Sequence, residues 1–282
     1  MKIATTIDEV RNYVATWRKN GHTVGFVPTM GYLHEGHGSL VEYSVAQNDK
    51  TVVSIFVNPT QFAPNEDFSN YPRDFQADVS LCERLGADLI FAPQDSEMYA
   101  NFAATFIDMK GTTDNLCGKS RPTHFRGVCT VVCKLFNIVA PDKAYFGRKD
   151  AQQLAVIRRM VADLNINVEV VGCPIVREAD GLAKSSRNTY LIKAEREAAT
   201  VISNAVFAAE NLIKSGECCP NAVCSVMRKI IEAEPLARID YIEIVNAETM
   251  QKIDAIKGNV LVAVAVFIGK TRLIDNCMVE KN

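Results

Sequence analysis

The chain has 282 residues, 48% of them hydrophobic and 23% charged, which excludes a disordered or fibrous protein. Thirty-one Lys and Arg against 33 Asp and Glu leave a net charge of −2, without the basic surplus of a protein that grips nucleic-acid backbone. Small-molecule chemistry is therefore the default. The start lacks a signal-peptide layout, and the longest apolar run, 260–268, is far short of the ~20 residues that span a bilayer. Together with an odd count of nine cysteines, this points to a cytoplasmic protein with reduced thiols and no membrane partner. No Cys-x-x-Cys occurs. Cys129 and Cys133, four apart in an apolar helix, read as buried thiols, and no protein-held metal site is expected.

In chain order, Thr6 to Glu9 has the form of a capping box ahead of Val10, Val14 and Trp17 at helical spacing, with Gly21 as the stop. A short strand is expected at 23–27, a helix at 38–47 and a buried strand at 51–57. A helix at 74–85 ends before Gly86, and a strand follows at 88–92. A helix at 127–139, a brief strand at 144–146, a helix at 151–164 and a strand at 167–173 complete the alternation. Strand–helix alternation predicts a doubly wound, Rossmann-like parallel sheet over residues 1–175. Beyond that the rhythm changes to two helical stretches, 193–214 and 219–234, and three strand-like runs starting near Ile239, Val260 and Thr271. Residues 176–282 are therefore expected to form a smaller α+β domain, hinged near Pro174.

Ligands of open parallel sheets bind beyond the strands' carboxyl ends. Four unusual segments each follow a predicted strand: MGYLHEGH at 30–37, NPTQF at 58–62, GRKD at 147–150, and Val176 through KSSRN at 184–188. Two of only four histidines, His34 and His37, lie in the first. Their spacing breaks the i, i+4 geometry of a His-Glu-x-x-His zinc site, and Gly36 suits a turn or a tight helix start. Two readings remain: imidazoles at a helix N-terminus that donate to phosphate oxygens during nucleotidyl transfer, or two loop histidines satisfied by neighbours. Lys184, Ser185, Ser186 and Arg187 suit a polyphosphate, although most such runs are solvated loops before a helix. Lys149 beside Asp150 pairs a cation for phosphate with an acid for Mg²⁺ or ribose. Gln61 and Gln153 could orient a carboxylate or hydroxyl. Asn58 is equally a loop opener, and Asp78 is read as surface. Arg121 and His124 are read as bracing a loop or a subunit contact.

The strings PTMGYLHEGH (28–37), IFVNPTQF (55–62), YPR (71–73), HFRGV (124–128), YFGRKDAQQL (145–154) and VREADGLAKSSRN (176–188), taken together, resemble the pantoate–β-alanine ligase family of the HxGH nucleotidyltransferases. What the resemblance implies is ATP-driven amide formation. The carboxylate of pantoate attacks the α-phosphate of Mg·ATP, giving pantoyl adenylate and pyrophosphate; the amine of β-alanine then displaces AMP. It implies that Met30, Gly31, Tyr32, Leu33, His34, Glu35, Gly36 and His37 contact ATP, with His37 and His34 catalytic. Gly147, Arg148, Lys149, Asp150, Val176, Lys184, Ser185, Ser186 and Arg187 match the remaining ATP stretches. Gln61 matches a residue shared by pantoate and β-alanine, Gln153 a pantoate ligand, and Asn58 lies near enough to join them. A homodimer, and closure of the C-terminal domain over ATP, are further expectations. Tyr32, Gly38, Arg148 and Lys184 depart from the family pattern, the last two by adding positive charge near the phosphates. Another HxGH nucleotidyltransferase acting on a phosphate acceptor would leave NPTQF and DAQQL unexplained.

Overall fold

The computed structural model describes residues 1–64, 66–100 and 103–281. Its elements run β1 (Lys2–Ala4), α1 (Ile7–Lys19), β2 (Val24–Thr29), α2 (Glu35–Gln47), β3 (Lys50–Ile55), α3 (Phe75–Arg84), β4 (Leu89–Phe91), α4 (Asp95–Met98), α5 (Leu116–Ser120), α6 (His124–Val139), β5 (Lys143–Gly147), α7 (Ala151–Asp163) and β6 (Glu169–Cys173). They continue α8 (Lys193–Ala198), α9 (Thr200–Lys214), α10 (Pro220–Glu232), β7 (Ala237–Asn246), β8 (Gly258–Ile268) and β9 (Thr271–Lys281). The capping box at the start of α1 forms as its residues require: Thr6 accepts from the Glu9 N–H, and Glu9 accepts from the N–H groups of Thr5 and Thr6. The helix expected at 193–214 divides at Ala199, and β1, only three residues long, is too short to show a period.

Six parallel strands form one sheet in the order β1-β4-β3-β2-β5-β6. The chain winds outward from β2 through β3 to β4, then returns to place β5 on the other side of β2. The strand order thus reverses between β2 and β5, the position where open α/β sheets leave a crevice at their carboxyl edge. Alternation along the strands fills both faces. Val27, Val53, Ile90, Tyr145 and Cys173 pack with Leu40 and Val41 of α2 and Cys82 of α3. Phe26 and Phe146 point the other way, each meeting Phe136 of α6 edge-on at 6.4 Å. Burial pushes the thiols of Cys82 and Cys129 up to about 12, so they are inert packing groups. No described helix is long and apolar enough to cross a membrane.

The chain divides into two compact units. One holds Met1–Met109, Thr123–Arg148 and Val156–Pro174; the other holds Lys110–Pro122, Lys149–Ala155 and the chain from Ile175 on. Two segments that precede residue 175 thus belong to the same compact unit as the C-terminal sheet. The reason is that this antiparallel sheet, β7-β8-β9, has two apolar faces. Ile242, Ile244, Val260, Val262, Val264 and Val266 bury against α9 and α10. Val245, Leu261 and Ala263 face the other way and are covered by Leu116 and Met250, with Ala151 and Ala155 packed beside them. Gln152 ties the two imported segments together, accepting from the Gly118 N–H at 3.3 Å and donating to the carbonyls of Thr112 and Asn115 at 2.9 and 2.8 Å. Substituting Gln152→Leu strands these three buried groups and should cost about 1–3 kcal/mol in urea unfolding, whereas Gln153→Ala next to it should leave the midpoint nearly unchanged.

Candidate active site

Residues 30–37 leave the carboxyl end of β2 in an unusual backbone. Gly31 has φ +79° and Tyr32 φ +50°, consecutive left-handed residues that cost energy unless held. A Cβ on Gly31 would sit 2.9 Å from the Ile55 side chain and 3.0 Å from Asp78 Oδ2, so only glycine fits. What holds the loop is side-chain oxygen. Thr29 Oγ1 accepts from the Gly31 N–H at 3.1 Å. Asp78 Oδ2 and Oδ1 accept from the N–H groups of Tyr32 and Leu33 at 2.9 and 2.6 Å. Asp78 is 2% exposed, which overturns its reading as a surface residue. Burial raises its pKa, and the two backbone hydrogen bonds oppose that shift without cancelling it.

The loop runs directly into α2, whose first turn begins three residues earlier than its apolar pattern suggests. The cap explains the difference, because it is made of imidazole rather than hydroxyl or carboxylate. His34 Nδ1 accepts from the Gly36 N–H at 3.1 Å, and His37 Nδ1 accepts from the His34 N–H at 3.4 Å. The rings lie 4.1 Å apart between centroids, tilted by 38°. A ring nitrogen that accepts carries no proton, so this arrangement is that of neutral imidazoles accepting through Nδ1. The Nδ1 atoms of both rings thus serve the backbone at the start of the helix, where its dipole is positive.

The turn at 58–62 follows β3. Asn58 is 1% exposed and Gln61 8%. Asn58 Oδ1 accepts from Tyr99 Oη at 2.7 Å and Thr60 Oγ1 at 3.0 Å; its Nδ2 donates to Gln61 Oε1 and the Gly127 carbonyl, both at 3.2 Å. Asn58 therefore braces the turn and aims Gln61. Gln61 Nε2 reaches Met30 Sδ at 3.0 Å, joining this turn to the His34 loop, and the Gln61 carbonyl meets His124 Nδ1 at 3.0 Å. His124 thus has the bracing role expected of it. Gly127 lets α6 approach, because a Cβ there would lie 2.4 Å from the Thr60 carbonyl oxygen. A cavity of about 370 Å³ borders Met30, Gly31, Tyr32 and Asp78, but its walls include neither histidine nor Gln61.

In the second unit, Val176 and Lys184 close a short hairpin, the Lys184 N–H donating to the Val176 carbonyl at 2.9 Å. Arg177 pairs with Ala183 across it, and Gly181 turns it at φ +92°. Ser185 caps the short helical turn that carries Ser186 and Arg187, accepting from the Arg187 N–H at 3.3 Å. Lys184 Nζ lies 2.9 Å from Glu178 Oε2, so the charge that it adds stands beside an acid. Arg148, in the first unit, spends its Nε on the Gly172 carbonyl. Lys149 Nζ lies 3.2 Å from Asp150 Oδ2, and Gln153 is half-buried on α7.

Residues 2–278 match the family model described as pantoate–β-alanine ligase. The chain belongs to the pantoate–β-alanine ligase family. It is 57% identical to a pantothenate synthetase of Ruminiclostridium cellulolyticum over 98% of each chain, and 56% identical to one of Enterococcus faecalis over 99% of each. The solved pantothenate synthetase of Thermus thermophilus superposes with a TM-score of 0.94 at 44% identity, covering 98% of this chain and 99% of that one. The Francisella tularensis pantoate–β-alanine ligase, solved with β,γ-ATP and β-alanine, superposes at 0.81 with 35% identity over 99% and 97%.

Asp78 was missed because a lone aspartate in a helical pattern gives no signal of its partner 45 residues away. Its role is open to test. In Asp78→Asn an amide NH₂ must face the Tyr32 or the Leu33 N–H, and the variant should lose about 1–3 kcal/mol in urea unfolding.

Proposed function

We propose that this chain joins pantoate to β-alanine in two ATP-driven steps through pantoyl adenylate. The observation that carries the reading is the pair of imidazoles, His34 and His37, that cap the start of α2 after β2, where the strand order of a ligase-family sheet reverses. A carboxylate is a poor electrophile at neutral pH, and adenylation supplies the leaving group. When the pantoate oxygen attacks the α-phosphate, negative charge grows on the phosphoryl oxygens and the departing pyrophosphate. Imidazoles at a helix N-terminus would stabilise that charge more than they stabilise the ground state, and that difference is what would accelerate the step.

The other assignments follow the same logic. ATP is taken by residues 30–37, by Gly147, Arg148, Lys149 and Asp150, and by Val176 and Lys184 to Arg187. Pantoate is oriented by Gln61 and Gln153, with Asn58 acting through its bond to Gln61, and β-alanine shares Gln61. Among the described residues no group of three or more His, Cys, Asp or Glu is placed to hold a metal ion. Mg²⁺ would arrive on the ATP phosphates, where it would neutralise charge, with Asp150 offering a carboxylate to it or to the ribose. A cytoplasmic homodimer belongs to the same proposal and rests on family likeness; sedimentation velocity checks the dimer.

The deciding experiment is pyrophosphate–ATP exchange with Mg²⁺ and pantoate, β-alanine omitted. Pantoate-dependent exchange is expected, and His37→Ala should lower it by about two orders of magnitude or more. Folded protein that binds ATP but shows no exchange would instead favour a phosphate-acceptor transferase. Gly127→Ala pushes the turn that carries Gln61, so its pantoate KM should rise several-fold while its ATP KM changes little. The second step needs a neutral amine, and an alkyl ammonium with pKa near ~10 is only about one part in a thousand neutral at pH 7. Single-turnover aminolysis of preformed adenylate should accordingly rise about tenfold per pH unit through the neutral range.

A further inference from the structure

Asp275 and Asn276 are consecutive residues of β9, and neither belongs to a motif that the sequence singles out. Both are buried, at 2% and 5% exposure. Successive strand residues point to opposite faces of a sheet, so this pair reaches both sides of β7-β8-β9 at one level. On the side of α9, Asp275 Oδ2 and Oδ1 accept from Arg177 Nη1 and Nη2 at 2.7 and 2.9 Å, and Oδ1 also accepts from the Asn276 N–H at 2.7 Å. Arg177 lies 4.9 Å from the Phe207 ring and donates to the Gly181 carbonyl at 3.0 Å. On the opposite side, Asn276 Nδ2 donates to the Lys149 carbonyl at 2.8 Å.

The two arms end on different strings of the chain. Arg177 stands in the hairpin between Val176 and Lys184, and Lys149 opens the segment that leads into α7. A buried Arg–carboxylate pair is a poor device for stability, since desolvation consumes most of its attraction. Its two-point geometry is a good device for fixing orientation. The amide-to-carbonyl bond of Asn276 likewise fixes the backbone of Lys149 without touching its side chain.

We propose that Asp275 and Asn276 are positioning residues for ATP, one orienting the hairpin that ends in Lys184 and the other setting the backbone that carries Lys149. The inference rests on the reading of Lys149, Val176 and Lys184–Arg187 as ATP-binding residues. The device is one strand serving two nucleotide-binding segments, so that both are set by the register of β9.

The test is steady-state kinetics on the full chain, with melting temperature measured alongside. Asn276→Ala should raise the ATP KM about three- to tenfold, the weight of one hydrogen bond, with the β-alanine KM and the melting temperature little changed. Asn276→Asp keeps the shape but sets a carboxylate against the Lys149 carbonyl, so it should raise the ATP KM at least as far. Asp275→Asn should act in the same direction; because it can unfold the chain, the Asn276 variants decide. If the ATP KM stays within twofold, or if every constant and the melting temperature shift together, the proposal is overturned. Lys149→Met serves as the control for the underlying reading. If it leaves the ATP KM unchanged, Lys149 is no ATP ligand and the proposal falls with that assignment. If it raises the ATP KM while the Asn276 variants do not, the assignment stands and only the positioning role fails.

Discussion

Three backbone N–H groups in a row, those of Gly31, Tyr32 and Leu33, end on side-chain oxygens of Thr29 and Asp78. This constraint is what the site depends on. It pays for two left-handed residues at the end of β2, which turn the chain sharply enough to start α2 at once. It also occupies the N–H groups that a glycine-rich phosphate loop would offer. The start of α2 repeats the principle with nitrogen as the acceptor: His34 and His37 each take a backbone N–H on Nδ1.

The same economy recurs wherever a polar side chain approaches the proposed site. Asn58 completes a turn and aims Gln61; Gln61 contacts Met30 Sδ and, through its carbonyl, His124. Gln152, one residue before the proposed pantoate ligand Gln153, is wholly structural. Neighbours of identical type divide the labour because a helix turns each successive side chain by about 100°, burying one amide and leaving the next half-exposed. Lys184 beside Glu178 shows that a cation counted in sequence can stand against an acid in the fold.

The second unit is organised by the need to cover both faces of a three-stranded sheet. β8 is buried along almost its whole length, which is why residues 258–268 read as a nearly continuous apolar run rather than an alternating one. Helices α9 and α10 cover one face. The other takes Leu116 and Met250 with the start of α7, which draws residues 110–122 and 149–155 away from the first unit.

What the sequence determined by itself was everything carried by short-range pattern. The strand–helix alternation, the capping box at Thr6, the change of rhythm after Pro174 and the six motif strings all rest on residues within a few positions of one another. Together they were enough to expect a doubly wound sheet, a smaller α+β domain and the ligase family. Only the tertiary structure decided the rest: Asp78 beneath the loop, Asp275 and Asn276 between two segments, His124 behind Gln61, and the two segments lent to the C-terminal sheet. In each case the partner lies 45 or more residues away; for the polar side chains the decisive term is a buried group that must find its hydrogen bond, and for the two lent segments it is the cover of an apolar face. Such pairings leave no periodicity along the chain. They exist only once the sheets are assembled.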